Sequence, residues 1–401
     1  MQTYVAARRA RILAVTPLLA AVLAGVVPPT PTVAAARWAG PTSRLASVSG
    51  EGILFGVAAT STRSAWAVGL TGRVGKPTTL IERWAGGAWK RVPSPASASG
   101  GLLDAVAVTS ARSAWAAGQT GSLFSSKPAT LIERWNGTAW SRVPSPNPVR
   151  GGTLYGLAGT SAGSAWAVGQ TGGVFNQRPR TLILRWNGTA WKRVPSPNAA
   201  TPGSWLGAVA VTSARGAWAV GCACNGPSLK TLIERWNGAR WRLVPSPNPA
   251  TGDNVLYGVA VTSARNAWAV GCTDCLGVKP KTLILRWNGT AWKRVPSPNP
   301  APGGTLASVA VTSARNAWAV GFAGDPNHPE PKPVIERWNG ARWKLVRSPS
   351  LPGGATGRPA ALLGVAAASA RSAWAVGMSG RIFRIAKPST VALHWNGTTW
   401  K

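Results

Sequence analysis

RWNGTAWKRVPSP occupies residues 185–197 and recurs unchanged at 286–298, while the copy at 134–146 differs only by Ser141 in place of a lysine. Working outward from this phrase, a second motif, A-W-A-[VA]-G, precedes each copy, with its tryptophan at Trp66, Trp115, Trp166, Trp218, Trp268, Trp318 and Trp374. The steps are 49, 51, 52, 50, 50 and 56 residues, so seven units tile the chain. Each unit carries two more tryptophans. One stands in the R-W position (Trp84, Trp135, Trp186, Trp236, Trp287, Trp338, Trp395) and one five residues later (Trp89, Trp140, Trp191, Trp241, Trp292, Trp343, Trp400). Of 23 tryptophans, Trp38 and Trp205 alone fall outside the pattern.

Within a unit the residues read as four short β-prone runs separated by turn chemistry. In unit five these are Leu256 to Thr262, Ala267 to Gly271, Thr282 to Trp287 and Thr290 to Val295. The S-A-R-N segment makes the first turn, and Asn288-Gly289 is expected to make a type I′ hairpin turn, which needs positive φ at both central residues. Pro-Ser-Pro cannot continue a ladder and favours an extended crossing to the next unit. Four strands in about 50 residues, repeated seven times without helical periodicity, predict an all-β chain: a seven-bladed β-propeller of four-stranded blades. The repeats fall at about 51–99, 100–150, 151–200, 201–250, 251–300, 301–350 and 351–401.

A glycine after an apolar strand, a variable loop, an apolar strand ending in an aromatic, a tight turn and W-x-x-[LV]-P-x-P together resemble the kelch repeat. Asn288-Gly289 to Pro298 overlays that family's last hairpin, whereas Val270-Gly271 supplies one glycine where kelch units usually have two. The likeness covers about residues 50 to 401, and the nearest picture is the secreted bacterial propellers built on W-N-G-x-x-W repeats. It implies a fold more firmly than an activity.

The N-terminus reads as a secretory leader over 1–36: Arg8, Arg9 and Arg11, an apolar run from Ile12 to Val27, then Ala34, Ala35 and Ala36 as an A-x-A cleavage pattern. The run contains Pro17 and is short for a bilayer span. The expectation is a secreted or surface-associated protein with no spanning segment in the mature chain, and a monomer. The 37–50 segment, with Arg37-Trp38-Ala39-Gly40, looks like a degraded hairpin and is expected to act as a strap pairing into the last blade, removing a free edge.

Charge is the distinctive compositional feature. Forty-four Lys and Arg face 10 Asp and Glu, giving a formal +34 and a pI near 11.9. Without the leader 41 bases face the same 10 acids, which leaves +31. Such a field attracts polyanions. Lys76, Lys127, Arg178, Lys230, Lys279, Lys332 and Lys387 recur just before the third strand and are expected to form a ring of cations on one face. That face also carries the loops that vary between units, and variable loops on a rigid scaffold are the default place for a binding site. The residue before the small residue of the inner strand varies too, as Phe55, Asp104, Tyr155, Gly207, Tyr257, Ala307 and Leu363, with Trp205 nearby. Phe55, Tyr155, Trp205, Tyr257 and the seven cations are therefore the candidate ligand-binding residues.

Chemistry-bearing residues are sparse. Glu82, Glu133, Glu234 and Glu336 share one repeat slot that holds Leu184 and Leu285 elsewhere, so the slot reads as scaffold. The copper-radical site of a galactose-oxidase-like kelch enzyme would need paired histidines with tyrosines and a cysteine. His328, His394, Tyr155 and Tyr257 do not match it, and a sialidase's acidic constellation cannot be assigned. No catalytic residue, metal or cofactor is expected. Were the protein a carbohydrate-active enzyme, Asp104 would be the best-placed acid. Cys222, Cys224, Cys272 and Cys275 sit in equivalent loops of units four and five and are expected to form two disulfides, within each loop or across the blade boundary. N-G-T recurs at Asn136, Asn187, Asn288 and Asn396, yet the turn is shared by units without the glycosylation pattern, which favours hairpin scaffold. The sequence thus points to a non-enzymatic binding propeller for an extracellular polyanion or cell-wall glycopolymer, with a protein-interaction scaffold as the rival. Nucleic-acid binding would be incidental to the charge.

Overall fold

The computed structural model describes residues 50–401 except 74, 96, 177, 199–202, 225–227, 278, 325–330, 350–358 and 381–387. The leader expected over 1–36, nearly all of the strap and Lys387 lie outside the described residues. Every described regular element is a strand. Six sheets have four antiparallel strands in sequence order, and the last has three, Ala360–Ser369, Ser372–Ser379 and Ser389–Trp395. Trp400 adds the start of a fourth by bridging to Trp395, with His394 and Lys401 exchanging backbone hydrogen bonds of 2.8 and 3.0 Å. The result is a seven-bladed propeller.

The burial pattern explains why each strand has its composition. In blade five the second strand, Asn266–Thr273, is buried along its whole length because neighbouring blades cover both of its faces. That requirement produces the continuous A-W-A-V-G run where a half-exposed strand would alternate. The fourth strand, Trp292–Val295, buries Trp292 and exposes Lys293 and Arg294. A short, cationic outer strand protects a sheet edge from pairing with another chain.

The tryptophans form the seams. The A-W-A tryptophan of one blade packs against both hairpin tryptophans of the next. Trp66 meets Trp135 and Trp140 at 4.9 and 5.2 Å between ring centroids, and Trp268 meets Trp338 and Trp343 at 5.0 and 5.2 Å. The same geometry closes the propeller, with Trp374 against Trp84 and Trp89. The R-W arginine completes the stack. Arg286 lies 5.0 Å over Trp268 and 5.6 Å over Trp338, and His394 replaces it in the last blade by stacking 4.0 Å from Trp374. Each aromatic pair adds about 0.5–1.5 kcal/mol beyond its area, and a cation over a ring roughly 0.5–2 kcal/mol. The hairpin tryptophans are 4–6% exposed except for half-buried Trp84, which makes the repeated phrase scaffold.

One expectation about that phrase needs correction. Trp287 pairs with Trp292, so residues 288–291 form a four-residue loop and the strand begins at Trp292 instead of Thr290. Gly289 alone takes positive φ there, 107°, so the turn is not type I′. The Asn288 side chain organises the loop: its Oδ1 accepts from the Thr290 N–H, the Thr290 hydroxyl and the Ala291 N–H, each at 2.9 Å. Nearby, the Trp287 indole N–H donates to the Ala264 carbonyl at 3.1 Å, tying this loop to the S-A-R turn on the same face.

Candidate functional site

The first strands of the blades stand side by side around the axis, the first also packing on the last. Each of the seven contains a β-bulge at the same place, between Leu54 and Gly56, Leu103 and Ala105, Leu154 and Gly156, Leu206 and Ala208, Leu256 and Gly258, Leu306 and Ser308, and Leu362 and Gly364. The extra residues are therefore Phe55, Asp104, Tyr155, Gly207, Tyr257, Ala307 and Leu363. A bulge re-aims its extra side chain, and all seven line one cavity of about 190 Å³ on the axis. The glycine of A-W-A-V-G makes room for this irregularity. A Cβ on Gly271 would collide with the Val255 carbonyl oxygen. The small residue after each bulge lets adjacent strands approach, since a Cβ on Gly258 would lie 3.0 Å from the Ser308 Cα.

Three of the sequence candidates, Phe55, Tyr155 and Tyr257, thus meet in the channel. Trp205 does not reach it as a free surface. It is wholly buried between Tyr155 and Tyr257, with centroids at 6.3 and 5.9 Å, and acts as the wall behind them. Asp104 faces the cavity from the next strand. Burial pushes its carboxyl well above the usual range, and its charge, after burial itself, raises the Tyr155 phenol. Asp104 Oδ2 is buried without a hydrogen-bond partner, and the Thr153 side chain beside the Tyr155 hydroxyl offsets a small part of the rise in its pKa.

The cations before the third strand do not share one register. Lys76, Lys127, Arg178 and Lys279 stand three residues ahead of Thr79, Thr130, Thr181 and Thr282, which pair with the equivalent Leu70, Gln119, Gln170 and Cys272. Lys230 and Lys332 instead pair with Ala223 and Ala323, two residues nearer the sheet. The loops differ in length, and letter-counting from the motif concealed the shift. Lys76, Lys127, Arg178, Lys279 and Lys332 are exposed and Lys230 is half-buried.

The same face carries a groove of about 380 Å³ that the sequence reading missed, lined by Lys127, Val149, Arg150, Phe175 and Asn176 among others. Phe124 and Phe175, from loops of adjacent blades, stack at 5.6 Å and 23°. Val149 is 90% and Phe175 41% exposed, two of four large apolar side chains the described surface leaves open. The pairing of Phe124 with Phe175 at matching loop positions was the available signal.

Four of the ten acids are withdrawn from the surface. Glu82, Glu133, Glu234 and Glu336 are fully buried in the seams. The Ser94 hydroxyl of the Pro-Ser-Pro crossing donates to Glu133 at 2.9 Å, and Ser196 and Ser297 do the same for Glu234 and Glu336. Desolvation dominates over these bonds and raises the carboxyls to about 7, 7 and 8.

Of the cysteines, Cys272 and Cys275 form a disulfide within their loop. Cys222 and Cys224 are unbonded, with Sγ atoms 3.3 Å apart, so the second expected disulfide is not formed. Burial raises the Cys222 thiol and keeps it protonated. Among the described residues, no cluster of three His, Cys, Asp or Glu could hold a metal ion, and no helix is long and apolar enough to cross a membrane.

The chain matches no family profile and no curated protein sequence. Among solved structures it is similar to YCF48 from Cyanidioschyzon merolae, with 15% identity and a TM-score of 0.53 over 86% of this chain and 98% of that one. YCF48 bound to D1 peptide gives 14% identity and 0.52 over 83% and 93%. A polysaccharide lyase of family PL25, an ulvan lyase bound to -[GlcA(1-4)Rha3S]-, gives 10% identity and 0.58 over 88% and 96%. At these identities the likeness extends to the fold: this chain is a propeller like them.

Proposed function

We propose that the protein is an exported, non-enzymatic binding propeller that holds an acidic glycopolymer on its variable face. The carrying observation is the groove where exposed Phe175 and Val149 adjoin Lys127 and Arg150. An acidic sugar chain presents both a ring face that stacks on an aromatic and a carboxylate or sulfate that pairs with a cation. The withdrawal of four glutamates into the seams supports the reading, because it leaves the surface cations with few neighbouring acids. Asp104 is the single acid lining the axial cavity, whereas glycoside hydrolysis in its usual form uses two carboxyl groups.

The test is binding of the protein to polygalacturonate, neutral dextran, duplex DNA and an acidic peptide across a salt series. Polygalacturonate binding that persists above physiological salt and is lost in Phe175→Ala and in Lys127→Gln/Arg150→Gln supports the proposal. Binding that fades equally for every polyanion reduces it to bulk charge. Retention of the peptide alone at high salt would favour a protein-interaction scaffold instead.

A further inference from the structure

The axial channel has the opposite electrical character to the rest of the molecule. Among the residues lining it there is none of the chain's 44 lysines and arginines, and there is one acid, Asp104. At the level of the bulges Asp104 and Tyr155, from neighbouring strands, bring a carboxyl whose Oδ2 has no partner in the protein and a phenol oxygen that has the Thr153 side chain beside it. Phe55, Tyr257 and Leu363 occupy the same level from other blades, and buried Trp205 fixes the two tyrosine rings from behind. An unpartnered buried polar atom is costly, of order 1–3 kcal/mol. It persists here because the bulge in every first strand aims its extra residue at the axis.

A ligand that relieves this arrangement must bring N–H donors for Asp104 Oδ2 and Tyr155 Oη, positive charge for the carboxyl and the aromatic faces, and an apolar body for the rest of the wall. We propose that the channel binds a compact organic ammonium ion, with its N–H groups on Asp104 and Tyr155 and its carbon body against Phe55, Tyr257 and Leu363. The site is separate from the groove at Lys127 and Arg150 and independent of what that groove holds. Surface cations oppose entry of an ammonium ion only weakly, because water and salt screen them, whereas the contact with Asp104 is made inside the protein. Burial raises the unliganded carboxyl well above its usual range. An arriving ammonium favours the ionised form of that carboxyl.

The experiment is a titration of the full chain with n-butylammonium and with n-butanol, which share a carbon body and differ in charge, followed by calorimetry and ligand-observed NMR. The expected result is saturable butylammonium binding at least about tenfold tighter than butanol. Asp104→Asn and Tyr155→Phe, checked for unchanged thermal unfolding, should each weaken butylammonium binding and leave butanol unaffected. Either variant alone suffices if the other does not fold. Equal binding of the two probes, no saturable binding of butylammonium, or full binding by a folded Asp104→Asn protein overturns the proposal.

Discussion

Trp374 of the last blade lies 4.7 Å from Trp84 of the first, tilted by 54°, which reproduces at the closure the contact that Trp66 makes with Trp135 at an ordinary seam. Beside it, the Gly52 N–H donates to the Pro388 carbonyl at 2.9 Å and the Thr390 N–H to the Gly50 carbonyl at 3.0 Å. The chain entering blade one therefore bonds to the last blade directly. Trp374→Ala should cost about 3–5 kcal/mol, as a large buried aromatic does when truncated. The same substitution at Trp268 should cost a similar amount, because the closing seam has the same packing. Urea unfolding of the two variants checks this; a negligible effect at Trp374 would mean that closure rests on the backbone bonds.

Stability should fall as pH rises from about 5 to 8. Glu133, Glu234 and Glu336 have carboxyls raised to about 7, 7 and 8 by burial, while in the unfolded chain they titrate near 4.3. Between those values the folded protein holds more protons, so removing protons favours the unfolded state. His394, lowered by burial, acts oppositely below its usual range, adding stability as pH rises toward about 6.5. Denaturant midpoints measured from pH 5 to 8 should decline for the native protein and decline less steeply in the Glu133→Gln/Glu234→Gln/Glu336→Gln variant, in which buried Asp104 still acts in the same direction.

The bulge makes a prediction about glycine. Gly271→Ala forces a Cβ onto the Val255 carbonyl and should destabilise by roughly 1–3 kcal/mol or rearrange the strand. Gly87→Ala, with nothing within 4 Å of the added carbon, should be close to neutral. Thermal unfolding of the pair separates a steric requirement from a general preference for glycine in turns.

Asn288→Ala removes three hydrogen bonds to one side-chain oxygen and should cost about 1 kcal/mol, an exposed loop being able to substitute water for part of the loss. Asn288→Asp keeps the acceptor and should retain most of that stability. If the two substitutions are equivalent in chemical denaturation, the side chain does not organise the turn.

Blade count, strand order and the scaffold role of the repeated phrase were legible because a propeller repeats one unit, and tryptophan at a constant offset marks the same seam each time. The role of the glutamate slot was legible only as scaffold; its neighbour Ser94 lies 39 residues away in the preceding blade, a contact that no local spacing announces. Loop positions were harder still. Lys230 and Lys332 look equivalent to Lys127 in text and sit two residues deeper in register, because register is set by backbone pairing across loops of unequal length.

The amino-acid order alone establishes seven four-stranded units, their seams and a strongly cationic chain, since periodicity and composition survive without coordinates. Tertiary structure alone decides where Asp104, Tyr155, Phe55 and Tyr257 meet. One extra residue in each first strand reverses the alternation that sequence reading relies on, and only the closure of seven such strands around an axis converts seven separate bulges into a single channel.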